Sequence, residues 1–154
     1  MRDRSVRQAE LVDIAEIAAM CALLWTDGTE DEYRREIARL LKTKMCGPLP
    51  ATVFVAQDAE GNITGFVQVG LRSHADGCDS EHPVGFLEGW FVKKQFRRQG
   101  IGKALVDAAE AWARSHGCRE MASDTWIEET ISLHAHEALG FEVVDRCITF
   151  RKPL

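Results

Sequence analysis

The chain has 154 residues, 45 % of them hydrophobic and 28 % charged, and a formal net charge of −5 at pH 7. This length suits one domain that buries a core of its own, and the negative charge disfavours nucleic acid as the main partner. No apolar run approaches the roughly 20 residues of a membrane span and the N-terminus has no apolar signal core, so we expect a single domain over residues 1–154, cytoplasmic and without membrane contact.

The cysteines and histidines do not predict a metal site. The five cysteines are odd in number and are scattered without C-x-x-C spacing, which argues against both a disulfide framework and zinc. His134 and His136 are two residues apart and would point to different faces of a helix. We therefore predict reduced thiols and no metal ion.

In chain order, the first half predicts a strand, two helices and a strand pair. Asp13 with Glu16, and Thr29 with Glu32, have the spacing of a capping box, and each pair precedes an amphipathic pattern. A turn-rich spacer of hairpin length separates the second and third strands. The predicted strands cover residues 5–9, 52–57 and 63–71.

The segment from Pro83 to His116 predicts a buried strand, a basic glycine loop and a helix in succession. Apolar residues recur at helical spacing after the glycines, and Gly117 supplies a stop. A short strand near 120–123 and a helix near 128–139 follow. Two closing strands are predicted near 141–145 and 147–151.

The glycine loop favours a phosphate ligand. A helix that begins at Gly100-Ile101-Gly102 presents unpaired backbone N–H groups and a positive dipole end beside Arg97 and Arg98. The P-loop pattern fails because Arg97 replaces its first glycine, and the dinucleotide pattern fails because Leu105 replaces its last. The remaining alternative is an ordinary helix start with surface arginines.

The motif R-x-x-G-x-G after a strand resembles the acyl-CoA pyrophosphate loop of the GNAT superfamily of N-acetyltransferases. The element order β-α-α-β-β-β-α-β-α-β-β also resembles the GNAT fold, an α/β (α+β) fold whose twisted mixed β-sheet carries helices on both faces. The resemblance implies acetyl-CoA as co-substrate. The residues that it implies for cofactor binding are Phe91, Val92, Arg97, Arg98, Gln99, Gly100, Ile101, Gly102 and Lys103.

Further segments closely resemble the bacterial aminoglycoside 6′-N-acetyltransferases. They are Trp25, GCDS at 77–80, FLEGWFV at 86–92, REMASDT at 119–125 and ETISLHAHEALGF at 129–141. This resemblance implies acetyl transfer to the 6′-amino group of an aminoglycoside antibiotic, which confers resistance, through a ternary complex without an acyl-enzyme. It also implies a homodimer joined through C-terminal strands, and the alternation of Ile148 and Phe150 with polar residues supports such a strand.

Glu88 is the most informative acid. Strand alternation places it on one face with Phe86, Trp90 and Val92, where a carboxylate is costly unless it is used or paired. The alternative is a structural ion pair. The resemblance implies an acid near the acceptor amine that acts as general base, directly or through water.

Four other residues are candidates for substrate binding. Asp124 ends a strand where ligand crevices open, although a cap or turn role is an alternative. The resemblance implies that Asp145, otherwise a turn residue before the last strand, helps to hold the antibiotic. Trp25 suits stacking on a sugar or cation, or else ends an apolar helix face. The resemblance suggests a substrate contact for His74, which otherwise is merely exposed.

His136 marks a departure from the superfamily. Many GNAT enzymes carry a tyrosine in Y-x-x-x-G-F as the acid that protonates the departing thiolate, and His136 stands at that position. A histidine can donate a proton at neutral pH, so His136 is a candidate catalytic acid, or a pocket residue. Glu129 stands where the superfamily often has asparagine.

Two other functions remain open from the residues alone. One is a GNAT enzyme that acetylates a polyamine or a protein amine, which would also gain from acidic side chains. The other is a non-catalytic acyl-CoA-binding module. Glu88 argues against the module, because a binder needs no carboxylate at the acyl end.

Overall fold

The computed structural model describes residues 5–154. Six strands are present in this part of the chain: β1 (Ser5–Gln8), β2 (Met45–Cys46), β3 (Leu49–Gln57), β4 (Ile63–Arg72), β5 (Val84–Val92) and β6 (Met121–Ser123). The α-helices are α1 (Ile14–Leu24), α2 (Glu30–Thr43), α3 (Ile101–Ser115) and α4 (Thr130–Ala138). Short 3-10 turns precede α1 (Leu11–Asp13) and follow β5 (Lys94–Phe96).

The strands form one mixed sheet in the order β1-β3-β4-β5-β6, with β2 paired to β3. Every pairing is antiparallel except that of β5 with β6, which is parallel. A parallel pair needs a crossover, and α3 supplies it. The predicted mixed sheet is confirmed.

Helices cover both faces of the sheet, as predicted. On one face, α1 and α2 bury Ile17, Met20 and Ile37 against Val53, Val55 and Phe66. On the other face, α3 buries Leu105, Val106 and Ala109 against Val67, Val69 and Leu87. The sheet is therefore a rigid middle layer from which β5 and β6 can position a site.

Of the two predicted capping boxes, that of α2 is confirmed. The Glu32 N–H donates to Thr29 Oγ1 at 3.3 Å, and the Thr29 N–H donates to Glu32 Oε2 at 2.7 Å. The box of Asp13 with Glu16 is wrong, because Asp13 is buried and accepts hydrogen bonds from the Arg7 guanidinium at 2.7 and 2.9 Å. A charged donor on the neighbouring strand outcompetes a helix N–H for this carboxylate.

The two closing strands near 141–145 and 147–151 are not present, so this part of the predicted element order is wrong. Residues 142–154 adopt neither helix nor strand and are exposed. Alternation alone does not make a strand, because a strand needs a hydrogen-bonding neighbour. In the single chain no described segment pairs with the outer edge of β6.

Within residues 5–154, no helix is long and apolar enough to cross a membrane. Residues 1–4 lie outside the described residues.

Candidate active site

The sheet opens between β5 and β6. The two strands pair only over three positions, which end at Leu87 and Ser123. From there β5 continues to Val92, whereas the chain after β6 leaves the sheet at Asp124. The backbone edge of β5 over residues 88–92 therefore has no strand beside it on this side in the described part of the chain. Such an edge offers N–H and C=O groups to an extended ligand.

A β-bulge lies at the start of this open edge. Gln68 of β4 pairs with Gly89 and Val69 pairs with Leu87, so Glu88 has no partner opposite it. The extra residue changes the strand alternation: Trp90 packs on the same α3 side as Leu87. The prediction that Phe86, Glu88 and Trp90 share one face is therefore wrong. Bulges are common beside active sites, where they re-aim a side chain.

Glu88 forms a two-pronged ion pair with Arg72, the last residue of β4. Arg72 Nε donates to Oε1 at 3.1 Å and Nη2 donates to Oε2 at 2.9 Å. The Arg72 guanidinium carbon also lies 3.4 Å from the centre of the Phe86 ring. The Glu88 side chain remains 25 % exposed. The Glu88 carboxylate is thus part of an ion pair, which was the alternative given in the sequence analysis, but it is still reachable from solvent.

Trp25 packs against Gly89, the residue after Glu88, on the α1 side of the sheet. A Cβ placed on Gly89 would lie 2.7 Å from two ring carbons of Trp25, so only glycine permits this approach. The Trp25 ring also contacts Tyr33, with 5.7 Å between ring centres. The structure therefore brings Trp25 to the residue beside the candidate base.

Asp124 lies near Glu88 in register. Leu87 and Ser123 are paired neighbours on parallel strands, and Glu88 and Asp124 each follow by one residue. Asp124 is exposed and lies between β6 and α4, in residues with no regular structure. The end of β6 is the position at which the sequence predicted an opening crevice.

His74 and Asp145 lie in segments outside the sheet. His74 is exposed in the loop between β4 and β5, and its Nδ1 lies 3.1 Å from Ser73 Oγ. Asp145 lies in the exposed C-terminal segment, where its carboxylate accepts from the Arg146 N–H at 2.7 Å. The position of Asp145 before a last strand was wrong, since that strand is not present. The adjacent Val144 lies beside Gly77 of the His74 loop, so the two segments do meet.

His136 is half-buried on α4 and is held at both ring nitrogens. Its Nδ1 lies 2.7 Å from the Ser132 carbonyl oxygen, so Nδ1 carries a hydrogen, and Nε2 lies 2.8 Å from Ser123 Oγ. The ring meets Trp90 edge-on, with 5.3 Å between ring centres. In the neutral ring Nε2 therefore accepts a hydrogen bond from the Ser123 hydroxyl. Its link to the end of β6 places His136 beside the opening in the sheet.

The glycine loop has the backbone of an anion site. Gly100, the N-cap of α3, has φ of +81°, and Arg98 has φ of +60°. The first hydrogen bond within α3 runs from the Ala104 N–H to the Gly100 carbonyl. The N–H groups of residues 101–103 at the helix start therefore have no helical acceptor. A cavity of about 300 Å³ beside the loop is lined in part by Thr64, Phe96 and Ile101.

The side chains around this loop are partly committed to other contacts. Arg97 Nε donates to the Val92 carbonyl at 2.9 Å, and the Lys103 ammonium pairs with Asp107 at 2.7 Å. Arg97 also lies over the Phe91 ring, 5.6 Å from its centre. Arg97 is therefore held beside the loop, the charge of Lys103 is balanced by Asp107, and the exposed Arg98 side chain has none of these contacts.

The Trp90 indole lies between the loop and His136. A Cβ on Gly102 would lie 3.0 Å from Trp90 Cζ2, so the helix start approaches the ring closely because residue 102 is glycine. The indole nitrogen of Trp90 is buried, and its N–H has no hydrogen-bond partner within residues 5–154. A buried donor of this kind is costly unless a ligand accepts from it. Among the described residues no cluster of side chains has the make-up of a metal site.

Known proteins resemble this chain over nearly its whole length. The aminoglycoside N(6′)-acetyltransferase type 1 of Klebsiella aerogenes is 46 % identical over 149 residues, which is 97 % of this chain and 96 % of that protein. The enzyme of the same name from Stenotrophomonas maltophilia is 40 % identical and covers 97 % of this chain and 94 % of its own.

Solved structures of such enzymes share the fold. AAC(6′)-Iy in complex with the bisubstrate analog CoA-S-monomethyl-acetylneamine has a TM-score of 0.83 at 36 % identity over 99 % of both chains. AAC(6′)-Ih from Acinetobacter baumannii has a TM-score of 0.87 at 28 % identity over 99 % of both chains. A model of the acetyltransferase (GNAT) family matches residues 14–141. With this match, and with relatives at 40 and 46 % identity, the chain belongs to the acetyltransferase (GNAT) family.

Proposed function

We propose that this protein transfers the acetyl group of acetyl-CoA to the 6′-amino group of an aminoglycoside antibiotic and so confers resistance. The observation that carries the proposal is the Glu88 carboxylate, which a β-bulge places at the open edge of β5 on the strand that leads into the glycine loop. The relatives named aminoglycoside N(6′)-acetyltransferase supply the class of acceptor.

The co-substrate is proposed to lie along the open edge of β5 with its pyrophosphate at the start of α3. The free N–H groups after Gly100 and the positive end of α3 suit phosphate oxygens. The unpartnered Trp90 N–H suits a carbonyl oxygen of the acyl-CoA chain. We assign cofactor binding to the backbone at Phe91 and Val92, and to the loop residues Arg97, Arg98, Gln99, Gly100, Ile101, Gly102 and Lys103.

In the proposed reaction the acceptor nitrogen attacks the thioester carbonyl carbon, a C–N bond forms and the C–S bond breaks. The nitrogen has to lose a proton, and Glu88 is the proposed base, directly or through a water molecule. The departing thiolate gains a proton. His136 is the proposed donor, and it can donate from Nε2 only when the ring is doubly protonated, because Nδ1 already donates to the Ser132 carbonyl.

The acceptor is proposed to be a polycation held by Glu88, Asp124 and Asp145. Several ammonium groups that face several carboxylates gain charge-assisted hydrogen bonds, which a neutral sugar cannot form. Trp25 beside Gly89 offers an aromatic face to a sugar ring or a cation, and His74 on the adjoining loop offers a second contact.

A homodimer is also proposed. The C-terminal segment carries Val143, Val144, Ile148 and Phe150 at 50, 62, 78 and 91 % exposure, while the outer edge of β6 has no described strand beside it. A second copy of the chain can cover the apolar side chains and pair with that edge. Light scattering should give twice the 17.2 kDa of the chain, and a 17.2 kDa species at micromolar concentration would contradict the proposal. Because acetyl-CoA is made and used in the cytoplasm, we propose that location.

The activity is tested by steady-state acetylation of kanamycin, tobramycin, spermidine and a lysine peptide with acetyl-CoA. The expected order of kcat/KM places both aminoglycosides far above the other two amines. Preference for spermidine or the peptide would overturn the acceptor but leave acetyl transfer intact. Binding of acetyl-CoA without turnover of any amine would favour a non-catalytic module instead.

A further inference from the structure

We propose that Arg72 is a positioning residue for Glu88, and this inference rests on the proposed function. Arg72 ends β4 and Glu88 is the bulged residue of β5, so the two are brought together by strand pairing across 16 positions of sequence. No motif in either segment points to this pair. The register of β4 against β5 creates it.

The bulge leaves Glu88 without the support of a cross-strand neighbour. A side chain at an extra residue has no partner opposite it, so its direction must be fixed by something else. The Arg72 guanidinium donates two hydrogen bonds, one to each carboxylate oxygen, at 3.1 and 2.9 Å. A planar fork of this kind fixes both the place and the plane of a carboxylate.

Arg72 is itself held from the other side. Its guanidinium carbon lies 3.4 Å from the centre of the Phe86 ring, and Phe86 is only 5 % exposed. Phe86 is thus a buried support, Arg72 lies over its ring, and the Arg72 fork holds the Glu88 carboxylate. A lysine lacks both the planar stack and the fork, so it cannot reproduce this geometry.

The clamp leaves room for the acceptor amine. An ionised carboxylate has about four lone-pair sites, and Arg72 takes one on each oxygen. The Glu88 side chain is 25 % exposed, so its remaining lone pairs can be reached. Arg72 then holds the base in place during the reaction and does not compete with the substrate.

A double-mutant cycle tests the proposal. The enzymes are the wild type, Arg72→Met, Glu88→Gln and the double variant, with kcat and KM measured for kanamycin at saturating acetyl-CoA. Methionine keeps an apolar cover on the Phe86 ring but removes the fork. We expect Arg72→Met to lower kcat by roughly 10- to 100-fold, the scale of a misplaced catalytic group. In the Glu88→Gln background the same change should alter kcat by less than about threefold, because residues that act as a unit are not additive.

Controls separate positioning from folding. Arg72→Lys should recover only part of the lost kcat. Arg114→Met removes an arginine from another exposed ion pair, with Glu110 on α3, and should leave kcat unchanged. Affinity for acetyl-CoA, measured by calorimetry, should be unchanged in the Arg72 variants. The exposed pair contributes little to stability, so melting temperatures should also be similar.

Three results would overturn the inference. The first is a wild-type kcat in Arg72→Met, and the second is an equal loss of kcat on this change in the wild-type and Glu88→Gln backgrounds. The third is a lower KM in Arg72→Met, which would make Arg72 a competitor of the substrate. If Glu88→Gln keeps wild-type kcat, the proposed role of Glu88 fails and Arg72 has nothing to position. If Glu88→Gln loses activity and Arg72→Met does not, only the role of Arg72 fails.

Discussion

Gly100→Asp should abolish tight binding of acetyl-CoA while the protein still folds. Gly100 has φ of +81° and no atom within 4 Å of a Cβ built there, so the substitution meets no clash. Its cost to folding is the left-handed backbone, about 1–2 kcal/mol and less for aspartate than for most residues. The new carboxylate would stand at the helix start, where the phosphates are proposed to bind.

The expected loss follows from Coulomb's law. Two unit charges about 4 Å apart repel by about 1 kcal/mol in water and about 4 kcal/mol at an effective dielectric constant near 20. Since 1.4 kcal/mol is a factor of ten, the dissociation constant should rise by roughly 5- to 1000-fold for each phosphate charge at that distance. Isothermal titration calorimetry with acetyl-CoA measures this directly.

Gly117→Asp is the matched control at the other end of α3. Gly117 has φ of +83°, and a Cβ at this position would also have no atom within 4 Å, so backbone strain and added charge are the same. A negative charge is less favourable at the C-terminal end of a helix than at its N-terminal end. Gly117→Asp should therefore lower the free energy of unfolding at least as much as Gly100→Asp does. Its acetyl-CoA affinity should nevertheless be that of the wild type. Wild-type affinity in folded Gly100→Asp, or equal losses in both variants, would refute the phosphate loop.

Three further predictions concern stability, thiol reactivity and cofactor contact. Hydrogen bonds from Arg7 hold the pKa of the Asp13 carboxyl below its ordinary value, so the pair stabilises the fold above about pH 4 and is lost as pH falls through the folded pKa. Asp13→Asn should lower the free energy of unfolding by about 1.5–3 kcal/mol at pH 7, and denaturant titrations should show the gap closing below pH 4; a constant gap would contradict this. Burial raises the pKa of the Cys21 thiol to about 12, so a thiol reagent at pH 8 should modify exposed Cys46 and spare Cys21 until the protein is denatured, as mass spectrometry of labelled peptides can show. Trp90→Phe should weaken acetyl-CoA binding by roughly 2- to 10-fold in calorimetry, and unchanged affinity would remove the indole N–H from the cofactor site.

The glycine loop was predictable because its signals are local. The strand, the basic turn and both glycines lie within one short segment, and Gly100 is required by its own backbone φ of +81°. The close packing of Gly102 on Trp90 of β5, by contrast, is a tertiary contact that the segment alone does not reveal. The capping box of Thr29 and Glu32 is local in the same sense. Such features survive in any tertiary context that keeps the helix, so the sequence predicts them well.

The features that sequence reasoning missed depend on distant partners. The Asp13 carboxylate accepts hydrogen bonds from Arg7 of β1 and does not cap α1, and Arg72 meets Glu88 only through the register of β4 on β5. The bulge at Glu88 changes the alternation that placed Trp90 beside it. In each case a long-range pairing overrides the pattern within a single element.

For the C-terminal segment, the sequence predicted strands that the structure does not contain. Ile148 and Phe150 alternate with polar residues, which is typical of a strand, yet no strand among the described residues of the single chain pairs with that segment. The local sequence pattern indicates that a segment is able to form a strand. The strand forms only where the edge of a neighbouring strand is available for hydrogen bonding. The homodimer proposed above would provide that edge.

The central claim is tested most directly by comparing neomycin with paromomycin, which differ only in an amino or a hydroxyl group at the 6′ position. Both are polycations, so the carboxylates of the site should hold either one. With acetyl-CoA, neomycin should be acetylated and its product should carry the new acetyl group at the 6′ nitrogen by NMR, whereas paromomycin should bind without turnover. Acetylation of paromomycin with a kcat/KM comparable to that of neomycin would contradict transfer to the 6′-amino group.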